Sequence, residues 1–418
     1  MMLFARAVIV GLCCLSTLAV AQGPGAVCDP ATSRQAIASL TDFIDIPRDK
    51  RSPIHEQAFA GVPLTEEDAA EAEKQLWQDY AQRIRLERAD EMESRVITMG
   101  ELQMPFFYKV FGDKPLGQRS LYISMHGGGG APARVNDRQW ENQKQLYSLD
   151  EGVYLVPRAP TNTWDLWHQS HIDRFFDRLI TNMIVFAGVD PNRVYLMGYS
   201  AGGDGVFQLA PRMSDRFAAA AMMAGHPNET SPRGLRNLPF TLHMGGRDQA
   251  YQRNEKAREW QKRLAELHEA DKDGYVHHVV IHEDKGHWMD REDAVALGWM
   301  AQYTRRRYPE RIVWVQDDVT HSRNYWLACD SPQPRAEVQA DRDGQTITVG
   351  EGAKSPWSVL LADAMLDLDQ PVTVMQGDRV VYQGTPPRTI ANLSRTLEER
   401  GDPGYMFSAR VTPPEPPK

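Results

Sequence analysis

Residues 194–203 constrain this chain more than any other stretch. An apolar, β-favouring run, Val194, Tyr195, Leu196 and Met197, ends in the pattern Gly-x-Ser-x-Gly at Gly198, Ser200 and Gly202. It then passes straight into a helix-compatible segment. The spacing predicts a strand, a turn too sharp for side chains at its flanks, and then a helix: a nucleophile elbow. Gly198 and Gly202 let strand and helix approach closely. Ser200 between them is expected in a strained backbone conformation at the tip of the turn, above the helix N-terminus. Taken alone, the pattern is an ordinary Gly-rich turn more often than a site, so its surroundings decide.

A serine hydroxyl is a poor nucleophile at neutral pH and needs a base, most often an imidazole oriented by a carboxylate. Downstream, residues 238–244 read as a buried strand closed by Gly245 and Gly246, with Asp248 in the loop at its C-terminal end. An amphipathic helix follows over about 252–270, then a strand over 275–281. Its exit loop, 283–288, offers His287. The order Ser200, Asp248, His287 is that of an α/β-hydrolase. All three fall on loops at C-terminal strand ends, where open parallel sheets place their chemistry. Upstream, the strand 121–125 runs into His126 and four consecutive glycines, 127–130. Bare backbone there suits an oxyanion hole, with Gly128 as one N–H donor and Ala201 as the other.

Rival readings of these residues are weaker. The glycine run lacks the Lys and Ser/Thr of a P-loop, and the spaced glycines of a dinucleotide fingerprint are absent. Asp204 falls in the helix after the elbow, Asp284 only three residues from His287, and Asp290 beyond it. His277, His278 and His282 lie inside a strand, where alternation sends the last two to one face and His277 to the other. His282, Glu283 and His287 resemble a zinc-binding H-E-x-x-H but carry one residue too many, and Gly286 interrupts any helix. No metal and no cofactor is implied.

These motifs together resemble the α/β-hydrolase superfamily, in its secreted, esterase-like branch related to polyhydroxyalkanoate depolymerases and prolyl-oligopeptidase-type hydrolases. The resemblance covers about 95–309. It implies a mostly parallel sheet with helices on both faces, and acyl transfer through a Ser-His-Asp triad.

The rest of the chain is organised around that core. Residues 1–21 carry one charge, Arg6, before an apolar run that ends in an A-x-A pattern at Ala19 and Ala21, as in a secretory signal peptide cleaved after Ala21. A secreted or periplasmic location, without a stable membrane anchor, is expected. Cys13 and Cys14 fall in that segment, leaving Cys28 and Cys329 as a disulfide candidate in an oxidising compartment. The net charge of −9 and the lack of a long basic cluster argue against a nucleic-acid partner. Within 22–94, residues up to about 64 are rich in Pro, Asp and Ser and read as an irregular arm. Thr65 then starts a helix to about Glu93, with Ala69, Leu76, Trp77, Tyr80 and Ile84 as its apolar stripe. Residues 310–418 show short turn-bounded strands, with hairpin signals at Asp343–Gly344 and Gly377–Asp378. They read as a small β-rich, sandwich-like module ending in a helix over 390–400 and a Pro-rich tail.

The loop after the strand 153–156 carries Trp164 and Trp167, two candidates for a substrate wall on the Ser200 edge, and His226 on a neighbouring loop is a third. No insertion of lipase-lid size separates these elements, which suits small esters or the acyl end of a polymer. A serine peptidase with the same triad is the first alternative, weakened because only about 95 residues precede the core and leave no room for a β-propeller. A non-catalytic polymer-binding protein on a hydrolase scaffold is the second, and it has no need of three triad residues.

Overall fold

The computed structural model describes residues 28–351, 353 and 356–413. The expected signal peptide, its cleavage site and the end of the Pro-rich tail lie outside the described residues.

The first described element is a helix, α1 (Pro30–Asp45), where composition suggests an irregular arm. The correction has a simple cause. Asp29 caps the helix, accepting from the Thr32 N–H at 3.0 Å, and Pro30 occupies the first helical position, where a missing N–H costs nothing. Next comes α2 (Glu66–Glu87), capped by Thr65 through the Asp68 N–H at 3.2 Å, with Glu66, Glu67 and Asp68 in its first turn to complement the dipole. Ala69, Ala72, Leu76, Tyr80 and Ile84 form its buried stripe, with Trp77 half-buried beside them. The short α3 (Ala89–Ser94) leads into the sheet.

The elements that follow, in chain order, are β1 (Val96–Met99), β2 (Leu102–Phe111), β3 (Arg119–Met125), α4 (Ala133–Lys144), β4 (Gly152–Pro157), α5 (Ser170–Ala187), β5 (Val189–Tyr199), α6 (Ala201–Arg212), β6 (Ala219–Met223), β7 (Phe240–Gly245), α7 (Arg253–Ala270), β8 (His277–His282) and α8 (Val295–Met300). One eight-stranded sheet results, in the order β1-β2-β4-β3-β5-β6-β7-β8. The β1-β2 and β2-β4 pairs are antiparallel and every pair from β4 to β8 is parallel. The central strands are buried on both faces, as helices on both sides require. Period-two alternation divides the core. Leu121, Ile123 and Met125 face the layer with α5, α6 and α7, while Tyr122, Tyr154 and Tyr195 face the one with α8 and Trp140 of α4.

Beyond α8 the chain forms β9 (Arg311–Val315), β10 (Arg323–Asn324), β11 (Leu327–Cys329), β12 (Glu337–Asp343), β13 (Thr346–Val349), β14 (Trp357–Leu361), β15 (Val372–Gln376), β16 (Arg379–Gly384), α9 (Ile390–Arg400) and β17 (Ala409–Val411). A five-stranded sheet, β16-β15-β13-β12-β9, and a four-stranded one, β10-β11-β14-β17, share one hydrophobic core. Strand β14 escapes a reading by alternation, because Trp357–Leu361 is buried along its whole length, the polar Ser358 included. The terminal helix leaves this module. Ile390, Leu393 and Leu397 of α9 pack with Leu40 of α1 and with the buried stripe of α2, and Leu64 bridges Arg388. The first and last helices therefore share one cluster instead of belonging to separate modules.

The candidate disulfide does not form: Cys28 and Cys329 are both free. The two are tied to different parts of the fold. The Cys28 thiol approaches the Pro63 carbonyl at 3.5 Å, ahead of α2, whereas Cys329 ends β11 opposite Trp357 in the four-stranded sheet.

Candidate active site

Ser200 stands between β5 and α6 at φ 58° and ψ −122°, a strained conformation for a residue with a side chain. Its flanks explain the glycines. A Cβ on Gly198 would lie 2.2 Å from the Gly202 carbonyl oxygen, and one on Gly202 would lie 2.2 Å from that of Met125. Any other residue pushes strand and helix apart and lowers the serine from the tip of the turn.

The three sequence candidates converge. His287 Nε2 lies 2.9 Å from Ser200 Oγ, and His287 Nδ1 lies 2.6 Å from Asp248 Oδ2. Asp248 follows β7 and is almost fully buried, whereas the imidazole is 44% exposed. A buried carboxylate on Nδ1 fixes the tautomer with the proton there, leaving Nε2 as acceptor for the serine hydroxyl. The histidine loop is pinned from below. Tyr199, next to the nucleophile, donates its hydroxyl to the His287 carbonyl at 2.7 Å and accepts from the Met289 N–H at 3.1 Å. The rival residues serve elsewhere: Asp204 accepts from the His226 N–H at 2.6 Å, Asp284 lies beside Lys285, and Asp290 pairs with Lys285 at 2.9 Å. On one face of β7 and β8, Thr241 bonds His243 at 3.1 Å and His278 at 3.3 Å, and His243 bonds His282 at 3.3 Å.

The glycine loop 127–130 is held residue by residue. A Cβ on Gly127 would lie 3.2 Å from the Cβ of Ser200, so the loop runs directly beside the nucleophile. Buried His126 donates from Nδ1 to the Gly127 carbonyl at 2.6 Å and accepts at Nε2 from the Ala159 N–H at 3.2 Å. Burial pushes the pKa of its imidazole down to about 3, which keeps the ring neutral and able to make both bonds. In a trans peptide, C=O and N–H point opposite ways. With the Gly127 carbonyl turned onto His126, the Gly128 N–H points away from that ring. Gly129 is clamped on both sides by fully buried Asn136, which accepts from the Gly129 N–H at 2.9 Å and donates to the Gly129 carbonyl at 3.0 Å. Gly128, at φ 117°, lies flat against this amide, and a Cβ there would come within 2.0 Å of Asn136 Oδ1. The Ala201 N–H is the first of α6 and has no partner within that helix.

Two clefts flank Ser200 and share Gly128. One, about 450 Å³, is lined by Ser200, His287, Trp288, Gln139 and Asn142. The other, about 700 Å³, is lined by Ala201, Asp204, Trp164, His226, Tyr251 and Arg253. Of the three candidate wall residues, Trp164 and His226 therefore lie in a cleft. Trp167 does not. It is fully buried, donates from Nε1 to the His126 carbonyl at 3.0 Å, and would meet any Cβ on Gly205 of α6. The loop turns inward between Trp164 and Trp167, and the second tryptophan serves as a strut beneath the glycine loop. Sequence reasoning misses Asn136, Tyr251 and Arg253, which lie on helix or loop positions without a motif.

Residues 156–303, from β4 past α8, match the family model of the dienelactone hydrolase family, a span that holds Ser200, Asp248 and His287. That span and the sheet order above give the chain an α/β-hydrolase fold. Solved structures similar to it include a thermostable esterase (20% identity, TM-score 0.40, covering 50% of this chain and 62% of that one). Others are esterase 2 of Thermogutta terrifontis (17%, 0.35, covering 50% and 91%) and an acylaminoacyl peptidase of Pyrococcus horikoshii (12%, 0.34, covering 49% and 39%). The match thus spans less than two thirds of the thermostable esterase and of the peptidase. No curated protein matches the chain.

Proposed function

We propose that this α/β hydrolase cleaves carboxylic esters through Ser200, His287 and Asp248. The observation that carries the reading is the hydrogen-bonded line from Asp248 through His287 to Ser200 Oγ, at 2.6 and 2.9 Å. In the first half-reaction Ser200 Oγ attacks the ester carbonyl while its proton passes to His287 Nε2. Asp248 stabilises the imidazolium that forms, and the Gly128 and Ala201 N–H groups hold the oxyanion. The tetrahedral intermediate collapses to the acyl-enzyme, and the alkoxide leaves as alcohol with the proton from Nε2. Water then gives its proton to the same nitrogen, attacks the acyl carbon, and releases the acid and free Ser200. Small-molecule esters or the acyl end of a polymer suit the open clefts.

Turnover of short-chain p-nitrophenyl esters, compared between the protein and Ser200→Ala, tests this. Turnover that vanishes in the variant is the expected result. Cleavage of peptide amides without ester turnover would replace the reading with a serine peptidase. Binding of a polymer by both forms, with no turnover, would replace it with a binding protein. Export with cleavage after Ala21 belongs to the same proposal, and N-terminal sequencing of secreted material should begin at Gln22.

A further inference from the structure

The larger cleft, on the Ala201 side of Ser200, holds more unsatisfied polar chemistry than ester hydrolysis needs. Its lips are two aromatic side chains left in water: Trp164 is 66% exposed and Tyr251 is 77% exposed. Tyr251 and Gln252 both sit at positive φ, 56° and 59°, just after the loop of Asp248. Consecutive strained residues without a glycine are a backbone cost, and here they carry a tyrosine out over the cleft. The Arg253 guanidinium, 4.9 Å from the Tyr251 ring centroid, steadies that ring.

The floor is polar. Arg253 Nε is buried without a hydrogen-bond partner among the described residues. The Asp248 oxygen near its guanidinium is 3.9 Å away, and that carboxylate already holds His287. Asp204 commits one oxygen to the His226 N–H, and burial raises its pKa. Asn228 adds an exposed amide. An alkyl chain seated here would desolvate the exposed part of Arg253 and the Asn228 amide and return no hydrogen bond, an unfavourable exchange. A flat aromatic acyl group would satisfy the lips and leave the floor unpaired in the same way.

We propose that this cleft is a sugar subsite, in which a pyranose ring lies between Trp164 and Tyr251 and its hydroxyls meet Asp204, Asn228 and Arg253. This rests on the ester reading above and names its substrate class as O-acylated carbohydrate. A pyranose has apolar C–H faces and a hydroxyl-bearing rim, so it answers both the aromatic lips and the polar floor at once.

The test compares mono-O-acetylated methyl gluco-, galacto- and xylopyranosides with cyclohexylmethyl acetate, an ester of similar ring size without hydroxyls. The best sugar acetate should exceed cyclohexylmethyl acetate at least about tenfold in kcat/KM, and Trp164→Ala and Tyr251→Ala should each cut that ratio by up to about tenfold. Both residues are exposed, so the variants should fold, which a thermal melt checks. A ratio at or below one in the wild type, or one that neither variant moves, overturns the sugar subsite while leaving Ser200-dependent ester turnover in place. Absence of turnover on every ester overturns both readings together.

Discussion

Two clusters of charge and hydrogen bonding decide how this molecule is built, and they obey opposite rules. At the proposed active site, Ser200, His287 and the glycine loop line two open clefts. At the junction of the sheet domain with the C-terminal module, Asp215, Arg216, Arg305, Arg323, Arg400 and Asp402 are buried together. Asp402 accepts from Arg305 at 2.8 Å and from Arg216 at 3.4 Å, and Asp215 pairs with Arg400 from 185 residues away. Burial alone would raise the Asp402 pKa, but the Arg305 and Arg216 guanidiniums outweigh it and hold it down to about 2. The first cluster stays open to solvent, as the proposed chemistry requires. The second fixes the module in place, and its importance lies in the penalty for breaking it. A module held in this way packs against the sheet domain through buried charge.

The contrast can be broken from either side. Asp248→Asn should do most damage to the reaction, lowering kcat by about 10⁴-fold, a loss of about 5.5 kcal/mol of transition-state stabilisation, with the denaturation midpoint little changed. Asp402→Asn should do the reverse. It leaves Arg216 and Arg305 short of their anion and should cost about 3–5 kcal/mol in urea unfolding, with kcat per folded molecule preserved. A matching loss of kcat would mean that the hub and the site are one unit. Asn136→Ala should lower kcat by about 10²-fold with KM nearly unchanged, because the clamp acts on the oxyanion loop and not on substrate binding. A rise in KM alone would contradict that role.

A gentler perturbation is pH. Burial pushes the pKa of both His126 and His243 down to about 3. Such a group takes up a proton in the unfolded chain at higher pH than in the folded one, so stability is full above about 6.5 and is lost as pH falls toward about 3. Each histidine should contribute a slope of about 1.4 kcal/mol per pH unit within that window. Urea midpoints between about pH 7 and pH 5 measure it, and His243→Phe should flatten the slope.

The same contrast explains what is legible in the sequence. Ser200, Asp248 and His287 can be read because a triad demands particular residue types at strand ends, here after β5, β7 and β8. The sheet can be read because its strands are apolar runs separated by turn signals. Trp167 is misplaced by sequence because a loop's composition does not say which of its side chains turns inward. Asn136 carries no motif, since its role arises only when α4 packs behind the glycine loop. The hub is invisible for a related reason: its charges are scattered from Asp215 to Asp402 and resemble ordinary surface residues until the fold buries them.

Everything proposed for this site depends on Ser200 being an activated nucleophile, and intact-mass analysis after brief exposure to a fluorophosphonate examines that without any choice of substrate. One adduct per chain is expected, mapped to Ser200 and absent from Ser200→Ala and from heat-unfolded protein. An unmodified mass in the folded protein, or an adduct on another residue, would contradict it.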